Sequence, residues 1–276
     1  MDVHEKPKTL VIIIGSSRGS EIAWKSLQTR LLTPMNADLA LVLGKGEPIN
    51  SLYKTSKYTK LVDEYDDWGE CIDYISKKEG DASPLSPDWR KFLLHNSVLA
   101  TGLWGGIKHN GTNLAGSGTI IFCMRYFVKE LIEEQKLLDK YDRFIITRSD
   151  HYYEFDHATD LSNENIWVPE GEDYGGITDK HIVLSKDHVM ASLDIIPWCL
   201  RKREKFEGNP ERLLKYFYTN IGIFPKIKRF TRSFFTVKTK TDATRWGGKN
   251  GLFVKDIGLI SKYTNEYNLC MKSKPK

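Results

Sequence analysis

The sequence predicts an α/β fold in which helices flank a central, mostly parallel sheet, and three observations predict it. Leu10-Val-Ile-Ile-Ile14 is an unbroken apolar run ending in Gly15-Ser-Ser-Arg-Gly19, the pattern of a strand buried on both faces that turns tightly into a helix. Ala37-Asp-Leu-Ala-Leu-Val-Leu43 repeats the pattern and closes on Gly44-Lys-Gly46, so the chain begins β-α-β, the unit from which parallel sheets are built. Tyr141-Asp-Arg-Phe-Ile-Ile146 is a third such run, reached after a long amphipathic segment.

Between the first two strands the spacing predicts a helix from about Ser20 to Leu32. Residues 62–110 are rich in Asp, Gly, Ser, Pro and Trp and hold no clean period, so short helices and loops are expected there. From Thr119 to Leu138, Ile120, Ile121, Met124, Phe127, Val128, Leu131 and Ile132 recur at helical spacing between charged residues, which makes one long amphipathic helix. Beyond the third strand, Asn165–Val168 reads as a short strand and Ile177–Ser185 as a longer one. Lys186–Leu200 reads as a helix with Ser185 at its N-cap, and another helix opens at Asn209-Pro210-Glu211, where Asn caps and Pro takes the first helical position. The rest is mixed and basic. No internal repeat or low-complexity linker divides the chain, which is expected to form a single domain over 1–276.

With 276 residues and 40% hydrophobic content the chain can bury a large core. A formal charge of +5 is a mild basic bias that suits a small anionic substrate and does not imply nucleic acid. Cys71, Cys123, Cys199 and Cys270 are far apart and form no metal or redox motif. The apolar run after the charged N-terminus is too short for a signal or a span, and no other apolar stretch approaches spanning length, so a cytoplasmic protein without a transmembrane segment is expected.

Three constellations can carry chemistry. At Gly15-Ser16-Ser17-Arg18, backbone N–H groups, hydroxyls and a guanidinium at a strand-to-helix turn can meet a diphosphate or a base, although the same segment also reads as a plain turn. It is neither a dinucleotide fingerprint nor a phosphate loop with its lysine. Arg148-Ser-Asp150-His-Tyr152 lies at the carboxyl end of the third strand, where ligands of open α/β sheets bind. There Asp150 can hold Mn²⁺ or Mg²⁺ against a diphosphate, or else cap a turn or pair with Arg148. Glu170-Gly-Glu172-Asp173-Tyr-Gly-Gly-Ile-Thr-Asp179 offers four carboxylates in a Gly-rich loop, suited to binding and deprotonating a hydroxyl or simply to solvation.

Weaker signals are His151, His181 and His188 as extra metal ligands, and Trp104-Gly-Gly and Trp246-Gly-Gly as stacking surfaces for a sugar. The basic stretches Lys226–Arg232 and Lys238–Lys240 are a further candidate, as a clamp for phosphate, glycan or nucleic acid. Each also has an ordinary structural reading.

The order strand, helix, strand, long helix, then Tyr-Asp-Arg-Phe-Ile-Ile-Thr-Arg-Ser-Asp resembles GT-A glycosyltransferases with their Asp-x-Asp motif, and glycosyltransferases of large algal DNA viruses of the chlorovirus type. The likeness spans roughly residues 8 to 225, anchored on Thr147–Tyr153 and Glu170–Ser185. Arg148 stands where the motif has its first acid, so Asp150 alone matches.

The resemblance implies a GT-A-like nucleotide-binding fold with a nucleotide-sugar half (1–155), an acceptor half (156–225) and a basic C-terminal extension (226–276). It also implies transfer of a monosaccharide, from a UDP-linked donor such as UDP-xylose, to a glycan hydroxyl with inversion, in the cytoplasm of a host cell if the source is viral. Gly15, Ser16, Ser17 and Arg18 would bind the nucleotide. Arg125 and Arg148 would offset phosphate charge, and Asp150 would hold the metal. Asp179, then Asp173, would be the base, with Glu170, Glu172 and Trp104 on the acceptor side. A nucleotidyltransferase acting on sugar phosphates and a non-enzymatic glycan- or nucleic-acid-binding module remain the alternatives.

Overall fold

The apolar run Leu10–Ile13 is wholly excluded from solvent, and it forms the centre of strand β1 (Thr9–Gly15) in a computed structural model that describes residues 7–46, 48–80, 88–242 and 251–275. Alternation divides the strand between two cores. Leu10, Ile12 and Ile14 belong to a large cluster on one face, and Val11 and Ile13 to a second cluster on the other, as a strand covered by helices on both sides requires.

The chain leaves β1 into helix α1 (Ser20–Leu27), which continues through a π-helical turn (Gln28–Leu32) into the short α2 (Thr33–Met35). It returns as β2 (Ala37–Gly44), parallel to β1, and after α3 (Ser51–Thr55) as β3 (Tyr58–Val62), parallel to β2. The irregular stretch expected next holds α4 (Gly69–Glu79), α5 (Trp89–Leu93) and a small hairpin, β4 (Lys108–His109) with β5 (Thr112–Asn113).

The long amphipathic helix is α6 (Gly118–Glu134), and its buried face, including Phe122, Met124, Val128 and Leu131, packs into the larger core. It delivers β6 (Arg143–Thr147), parallel to β1 on the side away from β2. Directly after Arg148-Ser-Asp150, β7 (His151–Tyr153) has left this sheet for another.

The central sheet is completed by β8 (Ile166–Pro169), β9 (Ile182–Ser185) and β10 (Ile227–Phe230). Its order is β10-β8-β9-β6-β1-β2-β3, and only β9 runs against its neighbours. The strand expected from Ile177 is shorter because Ile177 gives its N–H to the carbonyl of Glu211 (3.0 Å). The predicted helix over 186–200 breaks at Asp194 into α7 (Lys186–Leu193) and α8 (Ile195–Lys202). Helix α9 (Pro210–Asn220) starts as expected, Asn209 Oδ1 accepting from the N–H of Arg212 (2.9 Å).

The described residues of 226–276 are woven into the body. Besides β10, they supply β11 (Phe234–Lys238), β12 (Leu252–Val254) and β13 (Leu259–Ser261), which with β7 make a second sheet in the order β12-β13-β11-β7, and α10 (Thr264–Lys272), which packs on β11. The turn Arg148-Ser-Asp150 therefore bridges two sheets. All four cysteines are free and buried, and among the described residues no helix is long and apolar enough to cross a membrane.

Candidate functional site

The carboxyl ends of β1 and β6 lie side by side at the point where the order of connections along the sheet reverses, β2 and β3 going one way and β6 the other. Such a switch point opens a crevice between the two departing loops. Here the loops are stapled together: the Ser149 hydroxyl donates to the carbonyl of Ser16 (2.7 Å) and accepts from the N–H of Arg18 (2.9 Å). Gly19 permits the approach, since its φ of +92° suits glycine and a Cβ there would lie 2.8 Å from the Asp150 Cα.

Above the staple lies a cleft of about 900 Å³ whose walls include Gly15, Ser16, Arg18, Arg148 and Asp150. The acidic loop and the start of α9 line it through Glu172, Asp179 and Glu211, and the segment before α10 adds Lys262 beside Asp150.

Cations and carboxylates both line it. At the switch point the buried Asp150 receives both guanidinium arms of Arg148 (Nε to Oδ1 2.8 Å, Nη2 to Oδ2 2.7 Å) and the ammonium of Lys262 (2.6 Å). Burial alone would push the Asp150 carboxyl up, but Arg148 and Lys262 outweigh it and hold the group well below the usual carboxylate range. Burial lowers the Lys262 ammonium, and the repulsion of Arg148 and Arg18 adds to that against the pull of Asp150. Burial first and then the charge of Asp179 push Glu211 up to about 7. Glu211 can therefore take up or release a proton near neutrality.

Behind the cleft, Glu266 of α10 is fully buried. It accepts from Lys180 (2.9 Å) and from the N–H of Thr236 (2.8 Å), with Arg232 at 3.6 Å. Lys180 also sits over the ring of Tyr263 at 3.7 Å.

The residues expected from sequence fall into two groups. Gly15, Ser16, Arg18, Arg148, Asp150, Glu172 and Asp179 line one cleft. The others do not line it. Ser17 is in the same turn but off the wall. Arg125 is buried, donating to the Asp179 carbonyl (3.2 Å) and the Tyr218 hydroxyl (3.4 Å), so it steadies the Asp179 backbone and meets no ligand in the cleft. Asp173 is tied to Arg229 (2.8 Å) and to the N–H of Thr178 (3.1 Å). Glu170 points outward while Arg232 binds its carbonyl (2.8 Å). Trp104 is 2% exposed and packs in the core, which leaves it no face for a sugar. Trp246 lies outside the described residues.

Arg229 and Arg232 of the basic stretch hold the acidic loop in place, and of that stretch and its neighbour only Lys238 reaches the cleft. His188 pairs with Ser185 (2.8 Å). His151 and His181 join His157 in a buried trio around Thr147: His157 to His181 3.1 Å, His181 to Thr147 2.9 Å, His151 to Thr147 3.1 Å. Burial lowers His151 to about 3 and His157 to about 4, so all three are neutral packing groups at pH 7.

The site does not fit Mn²⁺ or Mg²⁺ at Asp150. Both carboxylate oxygens are already engaged by cations, and among the described residues no three His, Cys, Asp or Glu side chains converge on a point. A hard divalent ion needs several oxygen ligands.

Sequence reasoning missed Lys262, Lys180 and Glu211. Glu211, beside the Asn-Pro start of α9, reads from sequence as an ordinary acid complementing a helix N-terminus. Lys262 carries no local signal at all. In comparisons with known proteins, no family model matches the chain and no curated protein matches it.

Proposed function

We propose that the protein is a glycosyltransferase of GT-A-like fold that moves a monosaccharide from a nucleoside diphosphate sugar to a hydroxyl of a glycan. The observation that carries this reading is the cleft at the switch point, which Arg18, Arg148 and Lys262 line together with Asp179 and Glu211. A diphosphate fits against Ser16, Arg18, Arg148 and Lys262. The sugar then faces Asp179 and Glu211. Likeness of the Thr147–Tyr153 and Glu170–Ser185 segments to glycosyltransferases of large algal DNA viruses supports a UDP-linked donor, UDP-xylose among them, and action in the cytoplasm.

In an inverting displacement the acceptor oxygen bonds to the anomeric carbon as the bond from that carbon to the phosphate oxygen breaks. The electron pair leaves with the diphosphate, and the hydroxyl proton passes to the Asp179/Glu211 pair. A base with a pKa near the working pH serves this best. Arg148 and Lys262 meet the charge arriving on the leaving group.

The test is turnover against affinity. UDP release from a panel of UDP-sugars is measured with glycan acceptors, alongside nucleotide binding by calorimetry. Asp179→Asn and Glu211→Gln are each expected to cut kcat by about 10²- to 10⁴-fold with nucleotide affinity kept. In the native enzyme kcat should fall as pH drops below about 7, and Glu211→Gln should remove that limb. Both variants turning over at the native rate sinks the assignment of the acidic wall, and no release from any donor sinks the function.

A further inference from the structure

Resting on that nucleotide-sugar reading, we propose that the protein supplies the counter-charge for the diphosphate itself, through Lys262 with Arg148 and Arg18, where a divalent cation would otherwise stand. At Asp150 the charges do not balance. One carboxylate, its side chain 2% exposed, faces two cations, Lys262 at 9% exposure and Arg148 at 24%. Among the described residues neither cation has an ion pair with any other carboxylate. One buried carboxylate against two partly desolvated cations leaves an excess of positive charge, which the charge of Asp179 on Arg148 offsets in part and a further anion would complete. Arg18 adds to the excess, because its charge bears on Lys262. Burial is the first cause of the depressed Lys262 ammonium, and the charges of Arg148 and Arg18 add to it.

The role of Asp150 changes accordingly. Held by both arms of Arg148 and by Lys262, it acts as a bracket that fixes two cations in register at the switch point. A metal ion at that carboxylate would have to displace both side chains or sit among like charges, and at such distances repulsion in a buried setting is severe. Direction favours the side-chain solution too. Arg148 comes from the β6 end and Lys262 from the segment between β13 and α10, so they approach Asp150 from different elements. Both residues line the cleft. Arg148 occupies the place where the Asp-x-Asp pattern has its first acid, so a charge reversal in sequence coincides with the charge reversal in space.

The experiment titrates UDP, GDP, CDP and TDP into the full-length protein by calorimetry, once in excess EDTA and once in Mn²⁺. One diphosphate is expected to bind in EDTA with a Kd within about threefold of its value in Mn²⁺. Lys262→Met is expected to weaken that binding by about tenfold or more, with Mn²⁺ unable to restore it, and Lys262→Arg to recover most of it. Circular dichroism and melting confirm that each variant is folded. If Lys262→Met does not fold, the comparison of EDTA with Mn²⁺ on the native protein decides alone. Binding that appears only with Mn²⁺ overturns the proposal and leaves the glycosyltransferase reading standing. Native affinity in Lys262→Met overturns it as well. No binding of any nucleotide in either buffer overturns both.

Discussion

Removing the carboxylate of Glu266 should unfasten the C-terminal segment from the body. Glu266 has no exposed surface, and its two oxygens serve Lys180 at 2.9 Å, the Thr236 N–H at 2.8 Å and Arg232 at 3.6 Å. Burial would raise its pKa, but Lys180 and Arg232 outweigh burial and hold it at about 2, against an ordinary 4.5. At about 1.4 kcal/mol per pH unit, that difference corresponds to about 3 kcal/mol of stability at pH 7. Truncating one partner of a buried ion pair, which strands the remaining cations, gives a similar figure of about 3 to 5 kcal/mol.

Because the folded pKa lies below the unfolded one, this stability is present above about pH 4.5 and is lost as pH falls toward 2. Urea unfolding of Glu266→Ala at pH 7, followed by fluorescence and circular dichroism, is expected to show a loss of about 3 kcal/mol. It should also show a smaller difference from the native protein at pH 3. A midpoint within error of the native one at pH 7 would mean that Lys180 and Arg232 do not depend on this carboxylate, and the reasoning fails.

Two further expectations concern the scaffold. His151 and His157, held by burial at about 3 and about 4, must charge on unfolding, so stability should fall as pH drops below about 6.5. The loss should be about 2 kcal/mol per histidine by pH 5, and urea midpoints that are flat between pH 7 and 5 contradict it. At Gly176, an added Cβ would be driven into the carbonyl of Glu211, so Gly176→Ala should cost about 1 to 3 kcal/mol in thermal or urea unfolding. A variant as stable as the native protein would show that the loop and α9 part freely there.

The α/β class was legible because β1, β2 and β6 are buried on both faces and therefore read as continuous apolar runs. Helices α6 and α9 were legible for equally local reasons, a one-sided apolar period and an Asn-Pro start. Strands β11 to β13 were not, since they are short, mixed in character and defined by antiparallel partners far along the chain.

The same division holds at the cleft. Gly15 to Arg18 and Arg148 to Asp150 could be placed because each directly follows a recognisable strand. Lys262 could not, because nothing near it in sequence distinguishes it from the other lysines; only the fold brings it to Asp150. Trp104 and Arg125 show the converse error. Residue types that serve ligands at a surface serve packing and backbone support when buried.

The contact between Lys262 and Asp150 spans 112 positions of chain. Closing a contact of that separation costs more chain entropy than closing the local ones around it. While the chain is being made, β1, β2, β3 and β6 can assemble long before the lysine exists, and in that interval the Asp150 bracket has only Arg148. The strands that carry Asp150 thus precede its second cation by more than a hundred positions, and the bracket is complete only once the segment before α10 has docked.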